Sequence, residues 1–212
     1  MSNYLLEIGT EELPADLTAS VISQFEFNVN TDLNSSQIKF TDIKVTTTPR
    51  RIVLIIEGIA SFSEDNIDER KGPSFIQAFH EGKPTKAAIG FAKRYDKKPE
   101  ELEIRETPKG SFLFAKLIEK GKPVDILLAE LVPKWISKVQ GRRFMRWGKG
   151  EFRFSRPIRW IVSLLDSEVL SFNINGCDPE IEISYISRPH RLHGSAIQIN
   201  NAKTYLDQLQ EN

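Results

Sequence analysis

Three carboxylates stand close together near the start of the chain, where residues 4–14 read YLLEIGTEELP. Glu7, Glu11 and Glu12 belong to the residue types that general acid–base pairs use and that hard metal ions prefer as ligands. Glu11 and Glu12 also precede a predicted helix, where negative charge interacts favourably with the helix dipole. The residues therefore leave three roles open: a structural corner, which we favour, a contact with a partner, or catalysis.

A basic and aromatic segment at 141–160, GRRFMRWGKGEFRFSRPIRW, is the second candidate. Planar guanidinium groups suit phosphate, and the interleaved aromatic rings suit either base stacking or a hydrophobic core. Side-chain alternation in a strand predicted at 151–155 places Phe152 and Phe154 in the core and Arg153 towards solvent. A solvated or internally paired surface is the open alternative to RNA contact. The arginines that we predict to contact RNA here are Arg142, Arg143, Arg146, Arg153, Arg156 and Arg159.

Two shorter basic segments extend this set. The sequence PRR at 49–51 predicts a turn that exposes two cations, and SRPHRLHG at 187–194 predicts a loop of arginine and histidine. A zinc site in the second segment is not expected, because Cys177 is the only soft ligand and zinc needs three or four protein ligands. The alternatives to RNA contact are a solubilising turn and a structural turn. The residues predicted to contact RNA are Arg50, Arg51, Arg188, His190 and Arg191.

Composition excludes several classes of function. Twenty-nine basic and twenty-nine acidic residues give no net charge, so RNA contact depends on local clusters of charge. No apolar run has the length of a membrane span, and charges interrupt the region where a signal peptide would be apolar, so we expect a cytoplasmic protein without a membrane partner. The sequence has no phosphate loop, dinucleotide fingerprint or CxxC pair. We predict no catalytic residue, no metal ligand and no cofactor bound by this chain.

The hydrophobic pattern predicts an α+β fold of mixed, mainly antiparallel sheets with several helices, divided into two lobes at 1–120 and 121–212. Apolar residues at four-residue spacing predict the longest helix, over 14–33. Gly9 is expected to end the first strand, because glycine tolerates turn dihedrals. The residues 71–73 are expected to lie in a loop. Further strands are predicted at 38–46, 51–59, 109–122, 151–155, 158–165, 168–173 and 181–186, and further helices at 85–95, 123–139 and from 201 onward.

Several of these stretches, taken in order, resemble the beta subunit of bacterial tetrameric glycyl-tRNA synthetase. Each motif is short, but the matches follow one another in register over essentially the whole chain. Because the family subunit is considerably longer, we expect the chain to be its N-terminal portion. The motifs that carry the resemblance are LLEIGTEELP, TPRR, KGP, GKPTKAAIGFAK, MRWG, FSRPIRWIVSLL and the Arg-x-His-Arg of 188–191.

The resemblance implies an enzyme of two alpha and two beta chains that joins glycine to its tRNA, using ATP and magnesium. It places amino-acid activation on the alpha subunit and tRNA recognition on the beta subunit. The implied partners of this chain are the alpha subunit and glycine tRNA, and the chain alone is expected to be inactive. Glu11 and Glu12 become a predicted surface for the alpha subunit. The alternative is a purely architectural protein-binding module without direct RNA contact.

One motif departs from the family pattern, which usually reads Arg-Gly-His-Arg. Here Pro189 stands in place of the glycine. Proline fixes φ near −65° and has no backbone N–H, so a role that needs a left-handed residue or a donor at this position is lost. The departure weakens the predicted RNA contact of the 188–191 loop.

Overall fold

A computed structural model describes residues 1–80, 82–108, 110–188 and 195–211. They group into two compact units. Unit 1 combines Met1–Ser63 with Lys122–Asn212, and unit 2 is Glu64–Gly121. The chain crosses between the units twice, at 63/64 and at 121/122. The lobe boundary predicted from the sequence, at 120/121, lies one residue from the second crossing. The first crossing was not predicted.

The described chain alternates strands with a smaller number of helices. The strands are β1 (Ser2–Thr10), β2 (Asp42–Thr48), β3 (Arg51–Ile59), β4 (Asn66–Ser74), β5 (Phe79–His80), β6 (Lys83–Pro84), β7 (Glu103–Thr107), β8 (Gly110–Glu119), β9 (Met145–Arg146), β10 (Arg153–Phe154), β11 (Ile158–Leu165), β12 (Glu168–Val169), β13 (Ile183–Ser184), β14 (Ile186–Ser187) and β15 (Ile197–Gln198). The α-helices are α1 (Ala15–Ser35), α2 (Phe75–Ala78), α3 (Lys86–Arg94), α4 (Val124–Lys138) and α5 (Tyr205–Gln210), and short 3₁₀ turns span Pro99–Glu101 and Ala202–Thr204.

The main sheet of unit 1 has the order β12-β11-β1-β3-β2, with antiparallel neighbours, and β13 joins β11 in parallel. β1 lies in the middle, so its apolar run is buried on both faces. Tyr4, Leu6 and Ile8 pack into the cluster that contains the α1 and α4 residues. Leu5 packs on the opposite face, in the cluster that contains Tyr205 of α5. The sheet is therefore covered on both faces.

α1 confirms the helix predicted from four-residue spacing. It begins directly after Pro14 and buries every residue of the apolar stripe against the sheet. That stripe is Leu17, Val21, Phe25, Val29 and Leu33. Burial of such a stripe is the main source of helix stability in a globular protein.

α4 agrees with its prediction in part. A proline inside a helix predicts a kink or a split into two helices, but α4 is one continuous helix although Pro133 lies inside it, so no split occurs. The apolar pattern of this helix predicts a core face of Ile126, Leu127, Leu131, Trp135 and Val139. Leu131 and Trp135 are buried as expected, but Ile126 is 51% exposed, so its predicted place in the core is wrong. The buried stripe is instead completed by Leu128, Val132 and Ile136.

Unit 2 is a three-stranded antiparallel sheet with the order β4-β8-β7, and helices α2 and α3 belong to the same unit. Its small core contains alanines of both helices together with Leu113 and Ala115 of β8. The loop predicted at 71–73 is wrong, because these residues lie in β4. Gly72 is needed there by close packing, since an added Cβ would lie 2.5 Å from Cε1 of Phe91.

The strands predicted after residue 150 are shorter than expected, apart from β11, which matches 158–165. Only two residues of 151–155 pair as a strand, namely β10, and β12, β13 and β14 are equally short. The predicted alternation is nevertheless confirmed: Phe152 and Phe154 are buried and Arg153 is exposed. The α+β class with mainly antiparallel sheets is also confirmed.

Candidate nucleic-acid interface

The corner between β1 and α1 is built around the contact of Gly9 with Trp160. The two residues are register partners on β1 and β11, and a Cβ at Gly9 would lie 1.9 Å from an indole carbon of Trp160. The prediction that Gly9 ends the strand is wrong, because β1 continues to Thr10 with a register shift between the two residues. Glycine is required here to make room for the indole.

Glu7 is fully buried and binds four side chains from distant parts of the chain. Trp160 donates its indole N–H to Oε1 at 2.6 Å, and Tyr205 donates its hydroxyl to Oε2 at 2.6 Å. Ser187 donates to both carboxylate oxygens, at 2.7 and 2.9 Å, and Nε of Arg51 lies 3.4 Å from Oε1. A buried carboxylate without such partners would be strongly destabilising, so this arrangement gives Glu7 a structural role.

Burial raises the pKa of the Tyr205 hydroxyl far above its ordinary value, and the neighbouring charge and hydrogen bond of Glu7 raise it further. The phenol therefore stays protonated and acts as a donor to Glu7 at neutral pH. Because the Tyr205 hydroxyl is neutral and donates its proton to the structural carboxylate of Glu7, it is not placed to act as a catalytic acid.

Glu11 and Glu12, predicted to face the alpha subunit, hold arginines of the same corner. Glu11 lies 3.9 Å from NH2 of Arg50 and 3.3 Å from Nε of Arg159. Arg156 donates from Nε to the backbone carbonyl of Glu12 at 2.9 Å. The Glu11 carboxylate is thus engaged within the chain, whereas Glu12 presents an exposed side chain.

Three predicted RNA-contact residues converge on Trp160. The guanidinium carbons of Arg50, Arg51 and Arg188 each lie 6.0 Å from the centroid of its ring. Arg51 also donates to the backbone carbonyl of Arg188. Together with Glu12, Thr48 and Pro49 these residues line a cavity of about 410 Å³. Arg51 is largely committed to Glu7, while Arg188 forms no ion pair with a described residue.

The predicted arginines of the 141–160 segment fall into a second group, on the two-stranded ribbon formed by β9 and β10. Arg146 and Arg153 are direct register partners, so two like charges stand side by side. Glu151 binds Arg146 through both guanidinium nitrogens, NH1 at 3.0 Å and NH2 at 2.8 Å. The two strands of the ribbon are also linked by Trp147, which donates its indole N–H to the backbone carbonyl of Phe154 at 2.9 Å.

Arg142 and Arg143 precede this ribbon and are exposed. They line a cavity of about 230 Å³ together with Asp16 and the start of α1. Within the described part of the chain neither arginine forms an ion pair or a hydrogen bond, and the same is true of Arg153. We call the exposed guanidinium groups of Arg142, Arg143, Arg146 and Arg153 the ribbon surface.

Two predicted residues, His190 and Arg191, lie outside the described residues. Over residues 1–80, 82–108, 110–188 and 195–211, no group of three His, Cys, Asp or Glu side chains is placed to hold a metal ion. Nor does this part of the chain contain a helix long and apolar enough to cross a bilayer.

The family comparison agrees with the resemblance seen in the sequence. The family model described as glycyl-tRNA synthetase beta subunit matches residues 4–212. The chain belongs to this family. Its membership accounts for the order of the motifs along the chain.

Curated relatives named "Glycine--tRNA ligase beta subunit" match this family member over nearly its full length. The protein of Trichodesmium erythraeum is 42% identical over 98% of the chain, and that of Picosynechococcus sp. is 43% identical over 100%. A relative from Dictyoglomus turgidum is 37% identical over 99% of the chain. The chain spans about three-tenths of the length of these relatives, with 29% of the first and 30% of the other two covered.

Proposed function

We propose that this member of the glycyl-tRNA synthetase beta subunit family supports the attachment of glycine to its tRNA by binding the tRNA backbone with its ribbon surface. The observation that carries the proposal is the register pairing of Arg146 with Arg153. Like charges placed directly opposite each other destabilise a sheet, and Glu151 offsets the charge of Arg146 alone, so the charge of Arg153 has a cost that a bound polyanion would remove. The RNA backbone is such a polyanion, and guanidinium groups bind its phosphates through charge-assisted hydrogen bonds.

The ion pairs of the exposed arginines support the same proposal. Glu151 is bound to Arg146, whereas Arg142, Arg143 and Arg153 form no ion pair with a described residue. Two exposed cations elsewhere in unit 1 are paired with carboxylates, Lys44 with Glu57 and Lys138 with Asp32. Unpaired exposed arginines in one cluster provide the sequence-independent part of nucleic-acid affinity.

The arginines of the corner have a weaker claim to RNA contact. Arg50, Arg51, Arg156 and Arg159 are each engaged with Glu7, Glu11 or the Glu12 carbonyl. In our proposal they mainly hold the corner, and their contact with RNA stays a prediction.

The assembled enzyme, in this proposal, is a cytoplasmic heterotetramer in which the alpha subunit activates glycine with ATP and magnesium. This chain contributes no catalytic residue to that step and is inactive alone. Glu12 is the better candidate of the predicted pair for contact with the alpha subunit, because its carboxylate is exposed and not bound within the described chain. Replacing Glu12 with Lys is expected to weaken association with the alpha subunit, measured by titration of one subunit with the other.

The proposal is tested by titrating the chain with glycine tRNA and an unrelated tRNA at several salt concentrations. Replacing Arg142, Arg143 and Arg153 with Ala should make the slope of log affinity against log salt shallower by about 2–3, because each phosphate contact contributes roughly 0.7–0.9. The matched control replaces three paired cations with Ala and loses the same charge: Lys44, Arg70 and Lys138.

Equal slopes for the two triple variants would overturn the ribbon surface as the contact. Absence of tRNA binding at low salt, with intact association with the alpha subunit, would favour the purely architectural alternative.

A further inference from the structure

Helix α3 of unit 2 carries a second concentration of positive charge. Four basic side chains in and just before the helix are exposed: Lys83 of β6, and Lys86, Lys93 and Arg94 of α3. None of them forms an ion pair or hydrogen bond with another described residue through its side chain. Over residues 82–97 the only acidic side chain is Asp96.

Two cations on the sheet of unit 2 are, by contrast, neutralised by carboxylates. Arg105 binds Glu69 through two guanidinium nitrogens at 2.8 Å each, and it also contacts Glu103. Arg70 lies 2.7 Å from Asp68. The four cations at α3 have no such carboxylate among the described residues, so their positive charge is available to a partner.

Gly90 lies at the centre of the basic residues of α3. The buried residues Ala88 and Ala92 define the inner face of the helix, and Gly90 lies between them on the outer face. Residues three and four positions apart are neighbours on a helix surface, so Lys86, Lys93 and Arg94 all surround Gly90. The centre of the basic patch is therefore bare backbone.

Gly90 has no structural reason to be glycine in this chain. A Cβ there would have no atom of the described residues outside the helix backbone within 4 Å, and its φ is not in the left-handed region. Glycine inside a helix costs about 0.5–1 kcal/mol relative to alanine. What glycine does provide is a close approach of another chain to the helix backbone, with three cations around the point of contact.

We propose that the α3 surface, formed by Lys83, Lys86, Gly90, Lys93 and Arg94, binds the phosphodiester backbone of the tRNA. This inference rests on the proposed function for the identity of the RNA, but it assigns a second contact in the other compact unit. The positive charge of the α3 surface is complementary to a polyanion. The absence of a side chain at Gly90 allows that polyanion to contact the helix backbone directly, which a diffuse layer of ions would not need.

The test compares variants of the 212-residue chain in the same tRNA titration. Replacing Lys86 and Lys93 with Ala should make the salt slope shallower by about 1.4–1.8, at roughly 0.7–0.9 for each contact. Replacing Lys44 and Arg70 with Ala is the matched control, since both cations are already paired, and it should leave the slope near that of the unchanged chain.

A second variant, Gly90→Gln, separates RNA contact from a purely structural role. Glutamine is a better helix former than glycine, so the melting temperature should be unchanged or higher. The added side chain should nevertheless lower tRNA affinity about tenfold, which corresponds to roughly 1.4 kcal/mol and is typical of forcing atoms into a packed contact.

The outcomes distinguish this inference from the proposed function. Normal tRNA binding by both α3 variants, with loss in the ribbon variant, would overturn the α3 site alone. Loss in the α3 variants with a normal ribbon variant would support the α3 site and overturn the ribbon surface. Absence of tRNA binding by the unchanged chain, or α3 variants that alter only association with the alpha subunit, would overturn the inference.

Discussion

Gly9 of β1 lies directly against the indole ring of Trp160 on β11, so closely that a Cβ would come within 1.9 Å of a ring carbon. The same indole donates its N–H to the buried carboxylate of Glu7. One glycine therefore permits both the packing of Trp160 and the hydrogen bond that orients it. The EIG portion of the first motif is explained by this contact.

Replacing Gly9 with Ala is expected to destabilise unit 1 by about 1–3 kcal/mol, because the indole must move and the core around it is closely packed. For a unit of this size the melting temperature should fall by roughly 2–4 °C for each kcal/mol. Tryptophan fluorescence is the suitable signal, since Trp135, Trp147 and Trp160 all belong to unit 1.

The control for that variant is Gly90→Ala in α3, where a Cβ meets no atom of another described segment within 4 Å. It should leave the tryptophan-monitored transition unchanged. A Gly9→Ala chain that melts at the same temperature as the unchanged chain would contradict the packing argument.

Local patterns in the sequence predict the parts of this fold whose contacts are local or whose burial is periodic. The stripe of α1 is regular and was assigned correctly, with every member buried. β4 was missed because its residues, NIDERKGPS, show no apolar alternation. Its identity as a strand depends on pairing with β8, some fifty residues away at Asn66 and Glu119, and that pairing leaves no local signal.

The residues of the candidate site could likewise be predicted only in part from local sequence. Glu7 resembles Glu11 and Glu12 in the sequence, yet its partners Trp160, Ser187 and Tyr205 are 153 to 198 residues away. Only the assembled sheet distinguishes the buried carboxylate from the exposed one. By contrast, the pairing of Arg146 with Arg153 spans seven residues across a glycine-containing turn. A hairpin at MRWGKGEFRF was a signal that sequence reasoning could have used.

Removing the Tyr205 hydroxyl tests the Glu7 cluster. Tyr205→Phe should cost about 1.5–3 kcal/mol, the range for a hydrogen bond to a charged group. Tyr4→Phe is the matched control, because Tyr4 is equally buried but shares its hydrogen bond with the neutral hydroxyl of Ser163 at 3.0 Å. That change should cost only about 0.5–1.5 kcal/mol. Urea unfolding followed by tryptophan fluorescence measures both, and equal costs would argue against a special role for Glu7.

The stability of unit 1 should decline at alkaline pH. Burial raises the pKa of both Tyr4 and Tyr205 above the ordinary value of 10.0, so the folded chain keeps two protons that the unfolded chain loses. The stabilisation is therefore complete below pH 10 and falls as pH rises above it, by about 1.4 kcal/mol per pH unit for each tyrosine. Unfolding free energies across this range should fall less steeply in Tyr205→Phe than in the unchanged chain, and an unaltered slope would contradict the prediction.

Glu11 offers a direct test of whether the corner arginines reach RNA. Its carboxylate lies between Arg50 and Arg159, and both the carboxylate and Arg159 are substantially exposed, so Glu11→Gln should change stability by less than about 1 kcal/mol. It should, however, release Arg159 towards a bound polyanion and steepen the salt dependence of tRNA affinity, while Arg50 keeps its hydrogen bond to the Thr10 carbonyl. Glu12→Gln removes the same charge without releasing an arginine side chain, because only the Glu12 carbonyl holds Arg156. If the two variants bind tRNA with equal affinity and equal salt slopes, the corner arginines serve the fold alone, and the ribbon surface remains the proposed contact in unit 1.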